Sequence, residues 1–504
     1  MNQNNKRHIR RRLLGLCVFG GSPLMLIGCV AGPKYVRPAV QTPAAYKETG
    51  DAWKQVAPSD AVAKGRWWEI YQDPQLNSLE DQVTAANESL KQAQDTFAEA
   101  RAAIRGVRAS YYPVVSAAPA VTGVGQSRNK PTFGGNLHYD DIQLPLEVSY
   151  EPDLWNRVRL SVEQAQAQAQ ASAADVANVA LSLQAELAID YFDLRGMDSQ
   201  TQLLTSTVAS YTQALSLTQS RYTGGLASGV DVAQAQTQLE TTRAEAVDVG
   251  IQRAADEHAI AVLIGKPASE FAISPLPLGT PPPPVPPGVP SELLERRPDI
   301  AAAERIVAAA NAQIGIARTA YYPNVSLTGL AGFDSGRITS LLEGPAAFWE
   351  LAGSAAETLF EGGTRRAALE ESRASYNQYV DSYRQTVLTA FREVEDSLST
   401  LRILQEEAQT EDNAVAAAQH YLDLSTSRYR GGVADYLEVT TAQSAALVNQ
   451  RSAVDILTRR MEESVQLIKA IGGGWDASQL PSIQDMQPGH YPPATQRDPT
   501  NPAS

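Results

Sequence analysis

The chain has 504 residues, 19% of them charged, with a formal net charge of −14. Residues 1–28 hold five basic groups (Lys6, Arg7, Arg10, Arg11, Arg12) and no acid; without them 37 basic residues face 56 acidic ones, a net of −19. So acidic a chain excludes nucleic acid as a partner, because phosphate binding needs a basic face.

The N-terminus reads as a processing signal. A basic segment ending at Arg12 precedes a mainly apolar run over residues 13–27, which closes with Leu26-Ile27-Gly28-Cys29. That ending resembles a bacterial lipobox, which implies that Cys29 is lipidated and becomes the new N-terminus; the alternative is an ordinary apolar signal with an incidental cysteine. Cys17 lies inside the apolar run and would be lost, so the mature chain keeps one cysteine and forms no intrachain disulfide. Several acyl chains, at roughly 0.8 kcal/mol per buried CH₂, anchor stably. Val30 after the cysteine is compatible with sorting to the outer membrane. No later stretch has the apolar length of a transmembrane helix.

Residues 30–65 are broken by Pro33, Pro38, Pro43 and Pro58. Residues 76–110 turn helical, and Tyr111-Tyr112-Pro113 stops them. Residues 114–126 are weakly strand-like and 127–137 resemble a loop. Then Ile142, Leu144, Leu146, Val148 and Tyr150 alternate with Gln143, Pro145, Glu147, Ser149 and Glu151. This predicts a strand with one apolar and one polar face, against which Pro145 counts because it donates no ladder hydrogen bond. Residues 160–223 contain no proline and would span roughly 96 Å as one helix. Leu204, Val208, Tyr211, Leu215, Thr218 and Tyr222 recur on it at coiled-coil spacing.

Next comes Arg221-Tyr222-Thr223-Gly224-Gly225-Leu226-Ala227-Ser228-Gly229-Val230-Asp231-Val232, followed by a helix over 229–264 and a proline-rich linker over 274–290. The second half repeats the first. Residues 298–320 read as helix and end at Tyr321-Tyr322-Pro323, at an offset of 210 from the first such stop. Residues 324–333 and 346–360 are strand candidates, with Leu359-Phe360 standing 205 residues after Leu154-Trp155. A long helix over 364–429 carries Val387, Phe391, Val394, Leu398 and Leu401 at the same spacing. Arg428-Tyr429-Arg430-Gly431-Gly432-Val433-Ala434-Asp435-Tyr436-Leu437-Glu438-Val439 matches the first glycine motif without a gap at an offset of 207. A helix to Ile471 and a tail follow. In each motif the paired glycines suit a helix-ending left-handed turn. Ser228 and Asp435 can cap the next helix, with Asp231 and Glu438 at its third position.

Each half is thus a short helix, two strands, a very long helix, a tip and a medium helix. The shorter helices, stacked end to end, would make a second rod as long as the first. The expected fold class is an internally duplicated α+β protein and, if its strands enter a membrane, a membrane protein with a long-helix α-barrel. The partition is a signal peptide (1–28), a lipidated N-terminal and equatorial segment (29–75), a first repeat (76–273), the linker (274–290), a second repeat (291–475) and a disordered tail (476–504). Four strands per chain cannot close a barrel in lipid. Two copies would supply eight and three would supply twelve, and period alone does not choose.

Further motifs lie along this scaffold: Gly32-Pro33-Lys34-Tyr35-Val36-Arg37-Pro38, Trp67-Trp68 with Asp73-Pro74-Gln75-Leu76, Leu294-Glu295-Arg296-Arg297-Pro298-Asp299-Ile300, and Ala310-Asn311-Ala312-Gln313-Ile314-Gly315-Ile316-Ala317-Arg318. Together they resemble the outer membrane factor (TolC-like) family, in its NodT-type lipoprotein branch serving RND efflux systems, with Lys34 where that branch has an acid. The resemblance implies a homotrimer whose strands form one 12-stranded barrel in outer-membrane lipid. Its rods would form a periplasmic tunnel closed at the tips, docked on a periplasmic adaptor and an inner-membrane RND transporter.

By that resemblance Asp231, Glu438, Asp435, Tyr429, Arg428 and Arg430 are candidates for a periplasmic gate. The tips (Gly224, Gly225, Leu226, Gly229, Gly431, Gly432, Val433) are candidates for adaptor docking. Helix capping by Asp231 and Glu438, a solvated helix end for the basic groups and simple turn chemistry for the glycines are the competing roles. Thr441 and Ala434 depart from acidic and basic positions of many members. The five histidines show no metal-ligand spacing, and no phosphate loop or nucleophile elbow appears, so no enzyme, cofactor or metal is expected. The expected function is a passive, gated duct exporting toxic small molecules. The alternatives are the exit channel of a type I protein secretion system and a structural periplasmic coiled-coil lipoprotein.

Overall fold

A computed structural model describes residues 32–48, 65–125, 138–285, 288, 290–482 and 485–486. The signal, Cys29, the expected loop over 127–137 and most of the tail lie outside the described residues, while residues 476–482 and 485–486 of the tail are described, with Met486 buried beside Ile104. The helices are α1 (Pro74–Ala86), α2 (Glu88–Ala109), α3 (Arg157–Thr223), α4 (Gly229–Leu263), α5 (Leu293–Arg296), α6 (Pro298–Thr319), α7 (Thr364–Arg430) and α8 (Tyr436–Ala470). The strands are β1 (Val114–Ala117), β2 (Ala120–Gly125), β3 (His138–Tyr150), β4 (Asn324–Ser335) and β5 (Ala347–Ala356).

The helix expected over 76–110 is two helices, because Asn87 breaks it. Asn87 is extended, closes α1, and accepts the Leu90 N–H with its side-chain oxygen, capping α2. Its side-chain amide also donates to the Leu263 carbonyl at 2.8 Å, so α2 starts where α4 stops. Arg297 does the same in the second repeat: it precedes α6 and donates to the Ala470 carbonyl of α8 at 2.9 Å. The stacked rods α4–α2 and α8–α6 therefore exist. They pack on the 67-residue helices α3 and α7 in the row α4–α2, α3, α8–α6, α7. At about 1.5 Å per residue each long helix spans roughly 100 Å.

The coiled-coil seams are where their spacing put them except at Tyr222, which stands exposed at the end of the first. Leu204, Tyr211 and Thr218 of α3 are buried, as are Val387, Val394 and Leu398 of α7. The largest core lies at mid-height, where Trp67, Leu76, Tyr191, Leu194, Ile260, Tyr383, Val387 and Ile468 meet.

The strands repeat the order of the rods: β1 and β2 pair with β3, β3 with β4, and β4 with β5, all antiparallel. β1 and β2 keep one register against β3 and are a single strand interrupted at Ala118-Pro119. That interruption lies opposite Leu144-Pro145, so both prolines sit where the ladder is already open. On its other side Pro145 faces Gly332, where a Cβ would lie 2.3 Å from the Leu144 carbonyl oxygen.

The strand expected over 346–360 ends at Ala356, so Leu359 and Phe360 fall in the junction to α7. There Gly362 and Gly363 take positive φ and Arg365 gathers Glu357 and Glu361 at 2.6 and 2.7 Å, geometry a strand could not continue through. One face of the sheet presents Val115, Val121, Leu144, Leu146, Leu327, Trp349 and Leu351, all exposed. The other presents Gln143, Glu147, Thr328, Asp334 and Glu350.

Gly332→Ala should therefore block the β3–β4 pairing and abolish the folded sheet. Gly329→Ala meets only the movable Leu351 side-chain tip and should stay near wild type. Heat-modifiable migration of the two variants from outer membranes checks this; equal folding would contradict it.

The tips and the mid-height carboxylates

The two glycine motifs end α3 and α7 identically. Gly225 and Gly432 take φ of 72° and 74°. Leu226 N–H reaches the Arg221 carbonyl at 2.8 Å and Gly225 N–H the Tyr222 carbonyl at 3.0 Å; Val433 to Arg428 and Gly432 to Tyr429 repeat this at 3.0 Å. This is the doubly bonded left-handed helix stop. The following caps differ. Ser228 and Asp231 form a complete capping box, each side chain accepting the other's backbone N–H. Asp435 accepts the Glu438 N–H, but Glu438 does not reach back; it pairs with Arg428 Nε at 3.2 Å.

Between the hairpins lies a small core of Ala235, Tyr429, Tyr436 and Val439, flanked by Leu215. The Tyr429 and Tyr436 rings meet edge-on at 5.2 Å. Arg221 lies over the Tyr429 ring at 4.8 Å and donates to the Arg430 carbonyl at 3.1 Å. Tyr429 is thus buried rather than free, while Arg428 and Arg430 remain exposed. Leu226, Val230, Val433 and Leu437 point apolar surface outward, and a groove of about 480 Å³ runs between α4 and α8 past Gly229, Gln234 and Thr440.

At mid-height α3, α4 and α8 bring carboxyl groups together. Burial, then the charges of Glu186, Asp256 and Asp193, push Asp190 up to about 7. Burial, then Asp193 and Asp455, push Glu462 up to about 7. Asp256 is pushed up to about 6 by burial. Beside them Asp198 is enclosed by Arg195 at 3.0 Å and Arg253 at 2.7 Å, and accepts the Leu276 N–H at 2.8 Å. This network clamps the start of the linker against α3 and α4. Among the described residues no group of three or more His, Cys, Asp or Glu is placed to hold a metal ion.

The family model described as outer membrane efflux protein matches residues 79–266 and 289–473. The chain belongs to the outer membrane efflux protein family. This efflux protein is 33% identical over 467 residues to the probable efflux pump outer membrane protein SepC of Pseudomonas putida, covering 90% of this chain and 95% of that one. It is 32% identical over 470 residues to the outer membrane protein OprJ of Pseudomonas aeruginosa, covering 91% and 96%. The structure of the outer-membrane channel OprN superposes with a TM-score of 0.80 at 29% identity, over 89% of this chain and all of that one.

In the efflux protein the structure pairs Arg428 with Glu438, and joins Tyr429 and Arg430 to a residue the sequence did not single out, Arg221. Its signal was available, because Arg221 is the repeat equivalent of Arg428. The mid-height carboxylates had no such signal: Asp190, Asp256 and Glu462 are far apart in sequence, and only packing joins them.

Because these groups titrate higher in the folded than in the unfolded chain (about 4,), the folded form binds more protons between about pH 4 and 7. Stability is full below that window and falls as pH rises through it. Asp190→Asn should raise Tm by a few degrees at pH 8 and change it little at pH 4. Thermal unfolding at both pH values checks this; an equal shift at both would contradict it.

Proposed function

We propose that the chain is the outer-membrane duct of a tripartite RND-type efflux pump, exporting toxic small molecules passively from periplasm to exterior and carrying out no catalysis itself. Three copies make the duct, a lipidated Cys29 anchors each, and a periplasmic adaptor and an inner-membrane transporter dock below. One observation carries the reading: four strands and four rods stand in one shared order, with apolar sheet surface exposed at one end and paired tips at the other. A purely structural rod would need no exposed apolar sheet.

The exposed apolar rim at Leu226, Val230 and Val433, with Gly224, Gly225, Gly229, Gly431 and Gly432, is the adaptor's landing surface. Arg221 is the latch between the hairpins, and the Arg428–Glu438 pair braces the second tip. Asp231 and Asp435 cap their helices and, with Glu438, give the entrance a cation preference.

Cutting the latch removes a cation–π contact and a hydrogen bond, about 1–2 kcal/mol together, or roughly 5- to 30-fold in opening. In planar bilayers Arg221→Ala should open far more often than wild type. Asp231→Ala with Glu438→Ala should lose cation preference. Unchanged openings in Arg221→Ala would remove the latch, and no conductance from any folded oligomer would remove the duct.

A further inference from the structure

The two outer strands each pair on one side only: among the described residues β5 has β4, and β1/β2 has β3. We propose that β5 joins β1/β2 of a neighbouring copy in one defined register, with Gly353 facing Val121, Leu351 facing Gly123 and Trp349 facing Gly125. The inference rests on the closed-barrel reading above and adds to it the residues that meet at the seam.

The chain already contains a seam of this kind, because β3–β4 joins the second strand of one hairpin to the first strand of the next. The duplication transfers its register. First strands correspond at an offset of 210, fixed by Tyr111-Tyr112-Pro113 and Tyr321-Tyr322-Pro323 and continued by Val115-Ser116 and Val325-Ser326. Second strands correspond through their pairing. Leu146 faces Ala117; the equivalent of Ala117 is Leu327; Leu327 faces Gly353. Leu146 and Gly353 are therefore equivalent, at an offset of 207. The same offset relates Asn156 and Gly363, the residues with φ of 62° and 97° that open α3 and α7, and it relates the two tips. The 205-residue spacing of Leu154-Trp155 and Leu359-Phe360 does not describe the strands. Within the chain Leu146 faces Ala331, and Ala331 is the equivalent of Val121. Gly353 must then face Val121 of the next copy.

Two features of the edges agree with this register. The facing residues fall on the same side of the sheet: Gly353, Leu351 and Trp349 share the apolar face with Val121. Their sizes also complement, since the exposed Leu351 and Trp349 each meet a glycine and Val121 meets Gly353. Inside the chain the same device is present, Leu351 facing Gly329 and Leu327 facing Gly353. A register two residues away, with Leu351 against Val121, would set two branched side chains face to face.

Cysteine pairs in the full chain, inserted into outer membranes and mildly oxidised, test the register. Directly facing Cβ atoms lie about 4.5–5.5 Å apart and diagonal ones about 7–8 Å, and a disulfide needs about 3.5–4.5 Å. Val121→Cys with Gly353→Cys should link copies covalently, roughly fivefold or more faster than Val121→Cys with Leu351→Cys or with Ala355→Cys. Thr122→Cys with Ala352→Cys repeats the test on the opposite face, against Thr122→Cys with Glu350→Cys, should the first pair fail to fold. Faster linkage in the Leu351 or Ala355 pairing overturns the register while leaving barrel closure standing. No linkage in any pair, from protein that migrates as a folded oligomer, overturns the seam itself and with it the closed-barrel reading.

Discussion

Hydrocarbon leaves no water to satisfy an unpaired backbone, so a sheet in a membrane must have no open edge. Among the described residues each copy of this chain carries two such edges, on β1/β2 and on β5. The constraint reaches beyond the sheet. Each strand continues into its own rod, so the row of rods has two open sides as well. Apolar residues stand exposed on the two outer rods, Val247, Ile251 and Val262 on α4 and Leu388, Ile403 and Leu424 on α7. The sheet tier and the rod tier are incomplete along the same two lines, and in the proposed trimer copies of the chain would complete both at once.

The duplication explains how one sequence meets this demand with few inventions. The same joint occurs twice, at Asn87 and Arg297, where a residue preceding one helix binds the last carbonyls of another and makes two helices act as one rod. The same helix stop occurs twice at the tips. The two copies differ where the chain must do something only once. Asp231 closes a capping box, whereas Glu438 leaves its cap to meet Arg428. Arg221 crosses between hairpins to Tyr429 and Arg430, whereas its equivalent Arg428 stays on its own hairpin. At Arg221 the departure from the repeat marks a place where one half holds the other.

Local signals were legible in the sequence and packing signals were not. The long helices, their seams, the tips and the alternating strand over 142–150 follow from periodicity and from glycine and proline chemistry, which act within a few residues. Pro145 seemed to argue against its strand, because its missing N–H is judged against a continuous ladder; only the opposing Ala118-Pro119 break and Gly332 make room for it. Asn87 ends a helix that its neighbours would continue, for the sake of a carbonyl 176 residues away. The buried Arg195–Asp198–Arg253 network and the raised carboxyl groups of Asp190 and Glu462 exist only once α3, α4 and α8 meet. The sequence singled out the tip segment but not Arg221, because what distinguishes Arg221 from Arg428 is the partner each reaches in space.

The number of copies that closes the sheet tests this account most directly. Mass measurement of the intact complex, extracted in mild detergent from outer membranes, gives that number. The account predicts three copies per complex, twelve strands in one barrel, and no folded monomer. A complex of two copies, or a monomer that keeps its full strand content in lipid, would contradict it.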